Sequence, residues 1–360
     1  MSTEPDFRHS HTWQELRSQS HIWREWGKER DIESCRGWLK DHGPTEIWLS
    51  GAGSSAFIGD IIAAHEHCYG RSGIRSVPST DIVGAPAMLS NPNLGAVVSF
   101  GRSGNSTETI GVPDALQVMA PQVAQLNITC NPNGALAKQS GALNQRVVCL
   151  PSETHDRGFT MTSSFSTMLL TCLAITSSEV HGDAFDRLAK IFDSVFNDFE
   201  QDTMAAPTPA RLVFLGSGPL QFAAREAALK VMELTAGKIP TLWDSYLGFR
   251  HGPKSFVDDD TAFVCFRSAN PHTQKYESDL LAELQGQFPG NRITTLGPEA
   301  EIGFGGSLQD AWMAPIHVCY AQILGVVLSS RFNLNIDDPF EGKGTLTRVV
   351  SGFRLHEISR

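Results

Sequence analysis

The chain has 360 residues, 41% of them hydrophobic, which is length and apolar content enough for two domains with sizeable cores. Lys and Arg number 29 against 39 Asp and Glu, and the net charge of −10 argues against nucleic acid as a partner, although an acidic metabolite needs only a local positive site. Seven cysteines without a C-x-x-C pair, an N-terminus without an apolar signal segment, and no run of about 18 apolar residues point to reduced thiols in a cytoplasm and to no membrane span.

Residues 1–44 read as a helical extension, with Trp13, Leu16, Ile22, Trp23, Trp26, Trp38 and Leu39 set among many charges. From residue 45 onward strands alternate with helices. Strands are expected at 47–49, 75–77, 96–100, 123–129 and 146–150, the pattern of an α/β, doubly wound parallel sheet. The first strand runs through Ser50, Gly51, Ala52 and Gly53 to Ser54 and Ser55, then into a helix with Ile58, Ile61 and Ile62 on one face. This is not a dinucleotide fingerprint: the third glycine would fall at Ala56, and no acidic residue follows a second strand about 20 residues on. His65 and His67 flank Glu66, but a spacing of two points helical side chains apart, so no metal site is expected there.

The third strand breaks into Gly101, Arg102, Ser103, Gly104, Asn105, Ser106 and Thr107, followed by helix-compatible sequence. Glycines let the backbone come close to a ligand, N–H groups of the first helical turn point at it, and hydroxyls add donors. No acidic side chain lies in that loop, and no Lys follows its glycines, so it reads as a seat for a small phosphate ester rather than a nucleotide P-loop. The alternative is an ordinary strand–helix turn with a serine N-cap. Leu- and Ala-rich helices fill 163–204, and residues 205–210, with Pro207 and Pro209, read as a linker.

After the linker the pattern restarts. Leu212 to Ala224 echoes Ile47 to Gly59, and Ala262 to Asn270 echoes Ala96 to Asn105 with one glycine fewer. Two echoes in the same order indicate an internal duplication with a period of about 165 residues. The second copy has Pro219 and Leu220 where the first has Ser54 and Ser55, and lacks Gly104 and Ser106, so the phosphate seat belongs to the first half. The second half supplies a helix around 227–235, expected to be largely buried, in which Lys230 and Glu233 stand three apart on one face. A carboxylate in apolar company suits acid/base work near neutral pH; an ordinary helix ion pair is the alternative. His251, ahead of Gly252 and Pro253, belongs to a turn, where it can shuttle protons or simply lie at the surface.

Together these segments resemble the sugar isomerase (SIS) family in its double-domain form, over roughly residues 45–350. The likeness is carried by Ser50–Gly59, Ser99–Ser106, Glu153–Gly158 with Met161–Ser164, Leu215–Gly218, Ala228–Gly237 and Gly248–Ser255. The resemblance implies two SIS domains, 45–204 for phosphate binding and 205–345 for the catalytic Glu and His, between the 1–44 extension and a 346–360 tail. Within the family the likeness is to the bacterial deaminase/isomerases of galactosamine 6-phosphate, which implies conversion to tagatose 6-phosphate and ammonia through an enaminol, with no metal and no cofactor. Plain aldose–ketose isomerisation and non-catalytic sensing of a sugar phosphate are the other activities such proteins have.

Position by position, the resemblance implies that Ser55, Ser103 and Ser106 hold the phosphate, with Gly53, Ser54 and the backbone around Gly101 and Arg102 completing the cradle. Glu233 matches the carboxylate that moves the proton between C1 and C2, Lys230 its neighbour, and His251 the ring-opening histidine supplied by a neighbouring subunit. Thr162 matches a sugar-lining position and Lys343 a tail lysine, each to within a residue. A homodimer or larger homo-oligomer with shared sites follows. Glutamine-dependent synthesis is not expected, because the chain starts at Met1 without a cysteine nucleophile.

Overall fold

The computed structural model describes residues 7–29, 31–139, 144–177, 183–305, 308–344 and 346–358. By internal contacts the chain forms two compact units. One comprises His21–Asp156, Ser163–Phe185 and Leu346–Arg360; the other comprises Met1–Ser20, Arg157–Thr162 and Asp186–Thr345. This partition differs from a cut at the proline-containing stretch 205–210. The reason is local: helix α7 (Ala184–Ala205) buries Phe192, Phe196 and Phe199, and Phe199 packs edge-on against Tyr320 and Phe304 of the second unit.

The first unit is built on strands β1 (Glu46–Ser50), β2 (Ile74–Ser76), β3 (Leu94–Gly101), β4 (Ala124–Thr129) and β5 (Gln145–Cys149), all parallel, in the order β2-β1-β3-β4-β5. β3 and β4 are buried on both faces and read accordingly as near-continuous apolar runs, with Val97, Val98, Phe100, Leu126 and Ile128 fully buried. The helices are α2 (Asp31–Asp41), α3 (Ser54–Cys68), α4 (Ser79–Gly84), α5 (Thr107–Met119) and α6 (Ser163–Thr176). The isoleucines of α3 form its buried face, as the sequence spacing requires. α1 (His11–Trp26) starts in the other unit, and its later part contributes Trp23 and Trp26 here, whose indole N–H groups donate to Ser166 and Thr171 of α6.

The second unit repeats the plan with β6 (Arg211–Gly216), β7 (Thr241–Ser245), β8 (Thr261–Phe266), β9 (Ile293–Gly297) and β10 (Ile302–Gly303), in the order β10-β9-β8-β6-β7. Read from the other edge, this is the strand order of the first sheet. Its helices include α8 (Pro219–Leu234), α9 (Tyr246–Phe249), α10 (Pro271–Gln287) and α11 (Asp310–Arg331). The duplication extends to single dihedral angles. Gly53 (φ 57°, ψ −131°) and Gly218 (φ 56°, ψ −126°) precede α3 and α8 in the same left-handed conformation, which favours glycine at both places. α11 is long and apolar enough by composition to cross a membrane; its residues 311–330 are buried, and it packs along α8. No disulfide joins any of the seven cysteines.

Candidate active site

In a parallel sheet of order 2-1-3-4-5, the chain leaves β1 and β3 in opposite directions, and the loops at their C-terminal ends flank the crevice where such sheets bind ligands. Both serine loops lie at that point. Ser54 and Ser55 open α3 directly after Gly53, and both are buried. Ser103 is buried, and its Oγ accepts from the N–H of Asn105 at 3.2 Å. Ser106 stands at the N-cap position of α5, but its side chain makes no capping hydrogen bond, so the helix does not use this hydroxyl.

The loop after β3 is held from behind by the segment that follows β4. Thr129 Oγ1 donates to the Gly101 carbonyl (2.7 Å), Asn131 Nδ2 to the Ser103 carbonyl (2.9 Å), and the Leu136 N–H to the Gly104 carbonyl (3.0 Å). Gly104 is left-handed (φ 62°), and a Cβ there would press on Leu136 and Thr129 at 3.1 Å. The carbonyls are thereby occupied on the inner side. Positive charge accumulates alongside: the buried Arg102 donates through Nη2 to the Arg348 carbonyl (2.9 Å). Burial first, then the charges of Arg348 and Arg102, hold His155 below the usual histidine range. Arg348 and His155 were not singled out in the sequence. Their signal, two basic residues far apart in the chain, takes on meaning only once folding gathers them.

The duplicate loop in the second unit is already filled. Ser268 takes the place of Ser103, and its Oγ likewise accepts from the N–H of Asn270 (3.0 Å). Here, however, the Ser268 N–H donates to the buried Glu277 carboxylate (3.2 and 3.3 Å). The Ser268 hydroxyl and the Ala269 N–H donate to Asp310 (2.5 and 2.7 Å). Internal carboxylates thus occupy the anion-seeking groups of the second copy. Counting along the two copies, Val112 of the first stands where Glu277 stands in the second.

Away from that loop, α8 presents Glu226, Lys230 and Glu233 on one face at helical spacing. The Lys230 ammonium, 1% exposed, lies 3.4 Å from Glu226 Oε1 and 2.6 Å from Glu233 Oε2. The side chain of Glu226 is fully buried, that of Glu233 20% exposed. Thr160 Oγ1 donates to the same Glu233 Oε2 at 2.8 Å. Among the described residues Glu233 Oε1 takes no hydrogen bond, so one oxygen is pinned by two donors and the other is available. Expected apolar company is therefore replaced by an ammonium and a hydroxyl. Met232, within the helix expected to be largely buried, is 43% exposed, because the buried stripe runs through Ala223, Glu226, Ala227, Lys230 and Val231. Glu226 and Thr160 were missed in the sequence. Glu226 is legible as the residue four before Lys230, whereas Thr160 is brought in from 73 positions away.

The remaining candidates are dispersed. Thr162 is fully buried, with Oγ1 3.5 Å from Glu15 Oε2. Lys343 is exposed on a turn, its ammonium 5.6 Å from the centre of the Phe340 ring, which in turn packs on Phe159. His251 is exposed on the turn after α9, its N–H bonded to the Gly248 carbonyl (3.1 Å). Its neighbours Arg250 and Lys254 both pair with Glu283 of α10. His65 is buried beside Tyr69, and His67 is exposed on α3, so the two rings point apart.

No family model matches the chain. Among individual proteins, it is 40% identical over 327 residues to the D-galactosamine-6-phosphate deaminase AgaS of Escherichia coli O157:H7, covering 86% of this chain and 85% of that protein. It is 34% identical over 356 residues to the enzyme of the same name from a Shewanella species, covering 96% and 91%. Among solved structures, the tagatose-6-phosphate ketose/aldose isomerase of E. coli superposes with a TM-score of 0.83 at 36% identity, covering 97% of each chain. The two parallel sheets of one strand order, the serine loops at the first switch point and these relatives place the chain in the double-domain sugar isomerase (SIS) family, among its sugar-phosphate isomerase/deaminases.

Proposed function

We propose that the chain converts D-galactosamine 6-phosphate and water to D-tagatose 6-phosphate and ammonia. The phosphate dianion is assigned to the first-unit cradle: the hydroxyls of Ser55, Ser103 and Ser106, the N–H groups around Gly53, Ser54 and Gly101, and the positive field of Arg102. Anchoring that end fixes the position of the sugar carbons. His251 moves the proton between O1 and O5 that opens the ring. Glu233 takes the proton from C2 of the open aldehyde, and electrons flow through C1 to its oxygen, giving an enaminol. Returning the proton to C1 leaves an imine at C2. Water adds to that carbon and ammonia leaves, giving the ketose.

The observation that carries this reading is the Glu233 carboxylate, oriented at one oxygen by Lys230 and Thr160 and available at the other. A positioned base of this kind contributes about 10²–10⁴ in rate. His251 is assigned to the site of a second copy of the chain, which its exposed turn permits. The test is to incubate the protein with galactosamine 6-phosphate and measure ammonia and ketose together. Equal amounts of both are expected, with Glu233→Gln reducing turnover by at least about 10². Ketose formed only from hexose 6-phosphates without an amino group would replace the deaminase by a plain isomerase. Full turnover by Glu233→Gln would remove the base.

A further inference from the structure

Segment 157–162 delivers Thr160 to Glu233, yet it has no regular secondary structure of its own. Its backbone groups are held one after another by other parts of the second unit. Glu15 Oε1, half-buried on the second turn of α1, accepts the N–H of Arg157 (2.5 Å) and that of Gly158 (3.3 Å). The Phe159 N–H donates to the Asp337 carbonyl (2.9 Å), and Gln322 of α11 donates to the Met161 carbonyl (3.2 Å). Thr162 Oγ1 reaches the other oxygen of Glu15 (3.5 Å). The same Asp337 caps α1 with its carboxylate, accepting from the N–H groups of His11 (2.9 Å) and Thr12 (2.8 Å) and from the Thr12 hydroxyl (2.7 Å). The approach is close: a Cβ on Gly158 would lie 2.4 Å from Thr12 Oγ1 and 3.3 Å from Glu15 Oε2.

One carboxylate therefore grips both ends of a six-residue loop whose middle residue points its hydroxyl at the proposed base. We infer that Glu15 is a positioning residue for catalysis: it fixes segment 157–162 so that Thr160 orients the Glu233 carboxylate. This rests on the assignment of Glu233 as base.

The test compares Glu15→Ala, Glu15→Gln, Thr160→Val and the double variant Glu15→Ala/Thr160→Val in steady-state kinetics with galactosamine 6-phosphate. Glu15→Ala is expected to lower kcat by about 10–100-fold with KM little changed, because misplacement near 1 Å costs up to about that much. Thr160→Val should do the same, and the double variant should be no worse than Thr160→Val alone. Glu15→Gln, whose amide oxygen still accepts from Arg157 and Gly158, should recover most of the activity. Losing a donor raises the proton affinity of a carboxylate, so the acid limb of the kcat/KM profile should move to higher pH in both single variants. Multiplicative losses in the double variant, or an acid limb that stays put in Glu15→Ala, would overturn the inference. Should Glu15→Ala not fold, Gly158→Ala pushes the same loop off α1 and must give the same non-additive pattern with Thr160→Val. Full turnover by Glu233→Gln would instead condemn the assignment of the base, so the two failures are distinguishable.

Discussion

Lys230 illustrates why a buried cation is a constraint on the whole helix. An ammonium removed from water is tolerated only when carboxylates face it, and α8 supplies two, one a full turn before and one just under a turn after. Removing the cation takes from the fully buried Glu226 carboxylate the ammonium that faces it. Lys230→Met is therefore expected to lower stability by about 3–5 kcal/mol in urea titrations, and a second change, Glu226→Gln, to restore a good part of it. If Lys230→Met alone left stability unchanged, the triad would be incidental. The spacing of Lys230 and Glu233 was legible in the sequence because helical geometry is local. The partner that pins Glu233, Thr160, was not, because its arrival depends on tertiary bonds made by Glu15, Asp337 and Gln322. Residue patterns thus disclosed the proposed base and its lysine but not what orients them.

At the scale of elements, the strand–loop–helix units were readable because apolar strands, small-residue turns and amphipathic helices each leave a local imprint. Their occupancy was not readable. The second loop is sealed by Glu277 and Asp310, the latter 42 positions from Ser268. Burial, the dominant influence, raises the Glu277 carboxyl to about 7; the Ser217 hydroxyl, the Ser268 N–H and Arg267 oppose it more weakly. Asp310 is likewise raised by burial. The native state then binds the Glu277 proton more tightly than the unfolded chain does. Its contribution to stability is fully present below about pH 4.5 and is lost as pH climbs through about 7. Glu277→Gln should remove that loss, gaining roughly 2–3 kcal/mol on the wild type between pH 5 and pH 8 in parallel denaturation curves. A gap that does not widen with pH would contradict the sealed-loop account. In the first loop the serine of the helix start behaves differently from a cap. Because Ser106 does not cap α5, Ser106→Ala should leave the melting temperature almost unchanged, whereas a capping serine would cost about 1 kcal/mol. The same change should weaken calorimetric binding of the phosphate ester about 10-fold or more, the worth of a hydrogen bond to a charged group.

For the molecule as a whole, the duplication was visible as two sequence echoes, and it survives as two sheets of one strand order with matched glycines at 53 and 218. What no echo revealed is that segment Arg157–Thr162 belongs with the second unit, although the residues on either side of it belong with the first. The two copies have diverged: the second fills its loop with the Glu277 and Asp310 carboxylates, whereas Val112 stands at the Glu277 position of the first, whose loop is the proposed phosphate seat, and the proposed acid/base residues lie elsewhere in the second. Among those, His251 stands apart, exposed on its turn and braced by the Arg250 and Lys254 pairings to Glu283. If His251 serves, as proposed, the site of a second copy, the active unit must be at least a dimer, and a sharp prediction follows. Glu233→Gln and His251→Ala should each be inactive alone. Mixed after dissociation and reassembly, they should regain about a quarter of wild-type activity, because half the dimers are hybrids and each hybrid restores one of its two sites. Light scattering on the same samples must report dimers or larger. If the mixture stayed inactive while remaining oligomeric, His251 would have to serve its own chain, and the shared-site assembly would fall with it.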